Sequence, residues 1–261
     1  MSEISVIASH PTPNQPSSSF KLVPAKKDNE IVIATINIRT LANDIKLGTT
    51  YELFKSLRHN VCCFQETRRT GSGILQHKET QFIWSGHKRK RESGVGIMIA
   101  DTVKLIDVIS ISDRILQIFI QINNINIALT NCYAPTNEAK DSQKDKFYGL
   151  LCKCIKNTPQ KYKHILCGDY NATIGDDSFN SWRCLGPTNN DLPTNDNGTR
   201  LLKFAENHHL RLENTVRPSS KGERRINTWS SPKEFEKRLD YVLTSKFIQR
   251  FTTKCIVRRG T

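Results

Sequence analysis

A chain of 261 residues with 37% hydrophobic content is long enough for one large domain with a substantial core, so neither a peptide-sized scaffold nor a fibrous chain is expected. Its net charge of +14 is spread along the whole length, which favours a polyanionic partner and disfavours an acidic surface or a histone-like tail. The eight cysteines include no pair of Cys-x-x-Cys units, and Cys62, Cys63, Cys132 and Cys167 stand in apolar runs as small hydrophobes, so neither a zinc site nor a disulfide scaffold is expected.

Residues 1–29 lack the basic-then-apolar order of a signal peptide, and His10 to Ser19 (HPTPNQPSSS) is rich in Pro and Ser. A disordered leader over 1–29 is therefore expected, with the domain over 30–261. No apolar run approaches the length of a membrane span, so a soluble protein is expected. The cysteine usage makes a reducing compartment the default, nuclear or cytoplasmic, and no obligate protein partner is evident, so a monomer is the expectation.

Ile31 to Ile38 (IVIATINI) predicts a first strand with Asn37 near its end. Tyr51, Leu53, Phe54 and Leu57 recur at helical spacing, so a crossover helix is expected over Thr49 to His59. Val61 to Gln65 predicts a strand that delivers Glu66, with Arg68 and Arg69 immediately after it, placed to meet a nucleic-acid backbone. Lys88 to Arg91 (KRKR) separates two strand-like runs, Thr80 to Trp84 and Gly94 to Ala100. It fits a nuclear localisation signal or a basic hairpin tip facing DNA or solvent.

Ile115 to Ile122, the Asn123-Asn124 turn and the run from Ile125 predict a hairpin. Its second strand ends on Asn131 and Tyr133 before Pro135 stops it. Phe147 to Ile155 predicts a second helix. In Tyr162 to Thr173 (YKHILCGDYNAT), the buried run Ile165 to Cys167 is followed by Gly168, Asp169, Tyr170 and Asn171. Asp169 and Asn171 are two residues apart, so a carboxylate and a carboxamide project to the same side at a strand tip. A Gly/Pro/Asn/Asp-rich loop over Gly186 to Gly198 leads to a helix over Thr199 to Asn207. A basic loop, Arg217 to Arg225, precedes Trp229, and Arg238 to Leu243 predicts a last strand that buries Asp240.

Five apolar runs thus end in polar side chains, as in one composite site. The blocks Asn37-Ile38, QET (65–67), NCYAPT (131–136), GDYNAT (168–173) and RLDYVLTS (238–245), in that order, resemble the endonuclease/exonuclease/phosphatase superfamily. Within it the likeness is to the apurinic-type endonuclease domain of RTE-like non-LTR retrotransposons, from Ile31 to the C-terminus. The resemblance implies a four-layer α/β/β/α sandwich of two packed mixed β-sheets flanked by helices. It also implies Mg²⁺, or Mn²⁺ in its place, on Glu66, and hydrolysis of duplex DNA. Asp169 would act on the attacking water, Asn171 and Asn37 would fix the phosphate, and Tyr133 would add a donor. Arg68, Arg69, Trp229 and Arg238 would contact DNA.

Two departures from that pattern stand out. Arg39 occupies a position where many relatives carry a carboxylate, which weakens a second metal site and adds a cation near the phosphates. Relatives pair the carboxylate at Asp240 with a histidine in a Ser-Asp-His block beyond a segment like Cys255 to Gly260 (CIVRRG), and none of the seven histidines here occupies a comparable place in the sequence. The expectation is a C-terminally truncated domain, detached from a reverse transcriptase, with impaired cleavage. A non-catalytic DNA-binding remnant and a phosphoesterase acting on lipid or inositol phosphates are the alternatives.

Overall fold

The structure, a computed structural model, describes residues 3–11, 30–57, 59–187, 190–216, 228–230 and 236–260. Strands β1 (Glu3–Pro11) and β2 (Glu30–Asn37) precede helix α1 (Asp44–Ser56). Next come β3 (Val61–Gln65), β4 (Ser72–His77), β5 (Thr80–Ser85), β6 (Val95–Ala100) and β7 (Lys104–Ser112). The hairpin β8 (Ile115–Ile122) and β9 (Ile125–Tyr133) leads to α2 (Asp141–Asn157) and β10 (Lys163–Asp169). A 3-10 turn at Asp176–Ser181 is followed by α3 (Asp196–Asn207), β11 (Leu210–Leu212), α4 (Glu213–Val216) and β12 (Trp229–Ser230). The last elements are β13 (Glu236–Lys237), β14 (Asp240–Ser245), α5 (Lys246–Gln249) and β15 (Thr252–Gly260).

Seven strands form one sheet in the order β15-β1-β2-β3-β6-β5-β4, six form another in the order β11-β14-β10-β9-β8-β7, and β12 pairs with β13 alone. Side-chain parity stacks the layers, because successive strand residues point to opposite faces. Ile31 and Ile33 of β2, Val61 and Cys63 of β3, Leu129 of β9, Ile165 and Cys167 of β10 and Val242 of β14 meet in the core between the sheets. Their neighbours of opposite parity face helices. Val32, Ala34, Cys62 and Phe64 pack under α1 with Leu47, Tyr51 and Phe54. Leu166 and Leu243 pack under α2 and α3 with Phe147, Leu151, Leu201 and Phe204. The result is the α/β/β/α sandwich that the resemblance implies, its two packed sheets being those the strand pattern suggests.

Parity also selects the site. Asn37, Gln65, Asn131, Tyr133, Asp169 and Asp240 share the inward parity of the core residues before or after them, so each strand turns polar on its inner face as it reaches one edge of the sandwich. Beneath that edge the sheets are joined by side-chain amides. Gln65 donates from Nε2 to Asn131 Oδ1 at 2.7 Å, and Asn131 donates from Nδ2 to the carbonyls of Phe64 and Gly96 at 2.9 and 2.8 Å.

Three differences from the expected elements have local causes. The helices begin earlier than apolar spacing implies: Asn43 caps α1 by accepting from Lys46 N, Asn195 caps α3 by accepting from Gly198 N, and α2 gains a turn opened by Asp141. Strands β4 and β7 have no counterpart in the expected set; both are sheet edges, largely exposed, with the apolar alternation of half-buried strands correspondingly weak. The leader is corrected in part. Residues 3–11 form β1, a parallel strand between β2 and β15, and its β-branched Ile4, Val6 and Ile7 suit a strand better than a disordered tail. Residues 12–29 lie outside those described, as does the basic loop at 217–225. Among the described residues no helix is long and apolar enough to cross a membrane.

The amide clamp should dominate the coupling of the sheets. Asn131→Ala leaves two buried strand carbonyls and the Gln65 amide each short of a partner. It is expected to lower the unfolding free energy by about 3 kcal/mol, read as a reduced urea midpoint at unchanged m-value.

Candidate active site

The inward polar residues converge where β2, β3, β9, β10 and β14 end or begin. The Asn37 carboxamide lies between two acids, donating from Nδ2 to Glu66 Oε1 at 2.9 Å and to Asp169 Oδ2 at 3.1 Å. Its Oδ1 accepts from Arg39 N at 3.2 Å, so this one side chain is spent entirely on holding the cluster. Asp169 is 2% exposed, and its other oxygen accepts from Asn171 N at 2.8 Å. With a hydrogen bond on each oxygen the carboxylate cannot rotate, yet each oxygen keeps accepting capacity. Asn171 is itself anchored by donating to Ala134 O at 2.9 Å.

Asp240 stands directly across the ladder from Asp169 and is fully buried. Two carboxyl groups thus face each other across the ladder at this edge, and their oxygens are the donor type that a hard cation takes. Tyr133 closes the group from β9. Burial raises its phenol pKa, and the Glu66 and Asp169 carboxylates raise it further. The hydroxyl therefore keeps its proton and serves as a hydrogen-bond donor at any ordinary pH.

Backbone conformation here is unusual for the residue types. Arg39, Glu66, Arg68 and Asn171 have φ of 61°, 54°, 52° and 48°, four of the nine non-glycine residues with positive φ among those described. Each follows the end of β2, β3 or β10. Side chains larger than glycine enter this region at a cost, and such costs gather where surrounding structure enforces a functional geometry. At Glu66 the left-handed turn breaks strand parity and returns the carboxylate towards Asn37. The following loop is held by Leu41 N donating to Thr67 O and by Thr67 N and Arg68 N donating to Gly94 O and Ser93 O. Gly168, at φ +147°, lets β10 approach β9 so closely that a Cβ would lie 1.9 Å from Cys132 O.

The donors offered to a metal are all oxygens. Glu66 keeps its side chain 22% exposed, and among the described residues no three His, Cys, Asp or Glu side chains make a closed metal cage. A single partly exposed carboxylate beside a carboxamide suits Mg²⁺ or Mn²⁺, which retain waters, and does not suit zinc. Arg68 pairs with Glu66 at 3.1 Å.

The expected DNA contacts divide. Arg68 is exposed at the rim, whereas Arg69 donates to Leu41 O at 3.1 Å and lies over the Trp84 ring at 5.1 Å, so it holds the loop together. Arg238 is corrected: it is 3% exposed, which leaves no guanidinium surface for a phosphate, and burial lowers its pKa. Trp229 lies in β12, and its side chain is outside those described. The exposed Lys88–Arg91 run sits in the loop that joins β5 to β6, which touches the Glu66 loop through Thr67, Arg68 and Gly71. His10, the only histidine of β1, follows Ser9, which pairs with Ile36 as Asn37 follows Ile36. The parallel register thus brings that residue to the same edge, a position its place in the sequence conceals.

Other residues of the site carry no signal in isolation. Asn197, at the start of α3 and fully buried, donates to Pro135 O at 2.9 Å and Asn171 O at 3.1 Å, tying the loops after β9 and β10 together. Asn195 adds Thr173 N to the same tie at 3.0 Å. Their place in an Asn/Asp-rich stretch resembles ordinary turn chemistry.

The sequence profile described as "Endonuclease/Exonuclease/phosphatase family" matches residues 34–260. Craniofacial development protein 2 of Bos taurus is 26% identical over 219 residues, covering 82% of this chain and 36% of that protein, so the chain spans about a third of that relative's length. The endonuclease domain of TRAS1, a telomere-specific non-LTR retrotransposon, has a similar fold, with a TM-score of 0.55 and 14% identity over 84% of this chain and 85% of that domain. The Xenopus laevis APE2 catalytic domain aligns at 0.53 and 17%, over 83% of each chain.

The cluster makes a prediction of its own. Asn37→Asp replaces the shared donor with a third acid, so in EDTA the melting temperature should fall by roughly 5 °C. Added Mg²⁺ should then raise it by more than it raises that of the parent, because the ion binds the folded state more tightly. A variant whose melting point ignores Mg²⁺ would count against a cation at this position.

Proposed function

This chain belongs to the endonuclease/exonuclease/phosphatase family, and we propose that within it the protein is a divalent-metal-dependent endonuclease that nicks duplex DNA. The observation that supports this most is the Asn37 carboxamide donating to both Glu66 and Asp169. It joins a half-buried acid that can take a cation to a buried acid that can take a proton.

Phosphodiesters resist hydrolysis because their anionic oxygens repel a nucleophile. Mg²⁺ held by Glu66 would neutralise that charge and stabilise the leaving oxygen. The chain supplies the rest. Asp169, fixed on both oxygens, orients a water for attack on phosphorus and accepts its proton. The protonated Tyr133 hydroxyl, beside both acids, donates to a phosphate oxygen as charge builds on it. Asn37 and Asn171 keep the acids and the phosphate in register. Arg68, half-exposed beside Glu66, would offer its guanidinium to the phosphate backbone.

Duplex DNA is favoured as substrate by the +14 charge and by the exposed Lys88–Arg91 loop adjoining the Glu66 loop. Both also weigh against small phosphoesters.

Glu66→Gln should lower plasmid nicking in Mg²⁺ by about a hundredfold or more while duplex binding persists, the scale set by losing one group that stabilises the transition state. Nicking by that variant at the parental rate would remove Glu66 from the metal. Affinity for duplex DNA should fall linearly in log K against log salt. Arg68→Ala should flatten that slope by about one unit, and neutralising Lys88–Arg91 by more. An affinity indifferent to salt would defeat the DNA reading.

A further inference from the structure

We propose that Arg114 is a positioning residue for Tyr133, holding the phenol in the one orientation that directs its hydroxyl at Glu66 and Asp169. The inference rests on the endonuclease reading and assigns a role within it to a residue at the far end of a different hairpin.

Arg114 lies between β7 and β8, and three of its groups converge on the end of β9. The guanidinium carbon stands 4.8 Å from the centroid of the Tyr133 ring. Nη1 donates to the carbonyls of Tyr133 and Ala134 at 3.3 and 3.4 Å. The Arg114 carbonyl accepts from Tyr133 N at 2.9 Å, so the backbone of Tyr133 is held on both sides. The next residue is fixed as well, since Ala134 N donates to Asp169 O at 2.8 Å. A tyrosine at a strand end, with one face of its ring free of the core, would otherwise have more than one χ1 well open to it. The planar cation covering one ring face leaves it one.

Chemistry explains why arginine fits. Only a planar guanidinium stacks on a ring while its edge N–H groups fork to carbonyls; a lysine ammonium keeps the charge and loses both the plane and the fork. Charge alone and placement alone are therefore separable by substitution. Glu66, Asp169 and Arg114 are the charged groups that act on the phenol, two acids drawing on its proton and one cation behind the ring.

The test is a double-mutant cycle on plasmid nicking in Mg²⁺ with the parent, Arg114→Met, Arg114→Lys, Tyr133→Phe and Arg114→Met/Tyr133→Phe. Arg114→Met should lower kcat about tenfold with KM within about twofold of the parent. Arg114→Lys should recover only part of the loss. In the Tyr133→Phe background, Arg114→Met should cost less than about twofold, because the hydroxyl to be positioned is gone. Equal losses in both backgrounds, or full recovery with lysine, would overturn the proposal. A second measurement needs no nicking: 3-fluorotyrosine placed at position 133 should give one fluorine resonance in the parent and a shifted, broadened one in both Arg114 variants. An unchanged resonance would overturn the proposal even if the parent were inactive. Parental inactivity with a shifted resonance would instead refute the endonuclease reading and leave the stacking intact. Should Arg114→Met fail to fold, Arg114→Lys carries both arms.

Discussion

Two sheets can share a solvent-facing edge only if their buried polar backbones are satisfied where they meet, and here one amide pair does that. Gln65 and Asn131 face each other across the sandwich, and the second amide closes on carbonyls of β3 and β6. A carboxamide buried without partners costs about 1–3 kcal/mol, and these two meet each other, the Thr35 hydroxyl and two strand carbonyls. Their bonds also set the height of one sheet against the other. Everything at the edge depends on that setting, since Asn37 and Glu66 come from one sheet and Tyr133, Asp169 and Asp240 from the other. A slip of one residue in either would invert parity and turn the polar ends onto the helices.

Above the clamp the protein accepts unfavourable local states. Four residues larger than glycine adopt left-handed φ at strand ends, and two carboxylates stand opposed on neighbouring strands. Neither feature serves the core, which is apolar and in regular alternation below. The bonds that enforce them run between loops: Arg68 N to Ser93 O, Ala134 N to Asp169 O, and Asn197 to Pro135 and Asn171. A rigid sandwich thus holds a charged, conformationally costly rim in place. That division is expected where geometry matters more to function than to stability.

Much of this was legible in the residues. The inner strands β2, β3, β8, β9, β10 and β14 carry long apolar runs, and their polar ends at Asn37, Glu66, Tyr133, Asp169 and Asp240 stand out against them. The edge strands β4 and β7 were not legible, because half of each faces water and its alternation fades. Strand β1 was hidden by the Pro/Ser-rich stretch that follows it. Arg238 and Arg69 show a further limit. A basic residue beside a candidate site suggests a nucleic-acid contact, but only packing reveals that one is buried and the other spent on a loop carbonyl and an indole face. Asn197 and Arg114 act through loops distant in sequence, so no local pattern identifies them.

The central claim is that polar ends from both sheets form one cation-centred site. Paramagnetic broadening by Mn²⁺ in an NMR spectrum of the isotope-labelled protein tests it most directly, because the effect falls steeply with distance from the ion. The account predicts that substoichiometric Mn²⁺ broadens the amides around Asn37 and Glu66 in one sheet and around Asp169 and Asn171 in the other, together and at the same ion concentration, and that excess Mg²⁺ restores them. Broadening confined to one sheet, centred elsewhere, or absent altogether would contradict it.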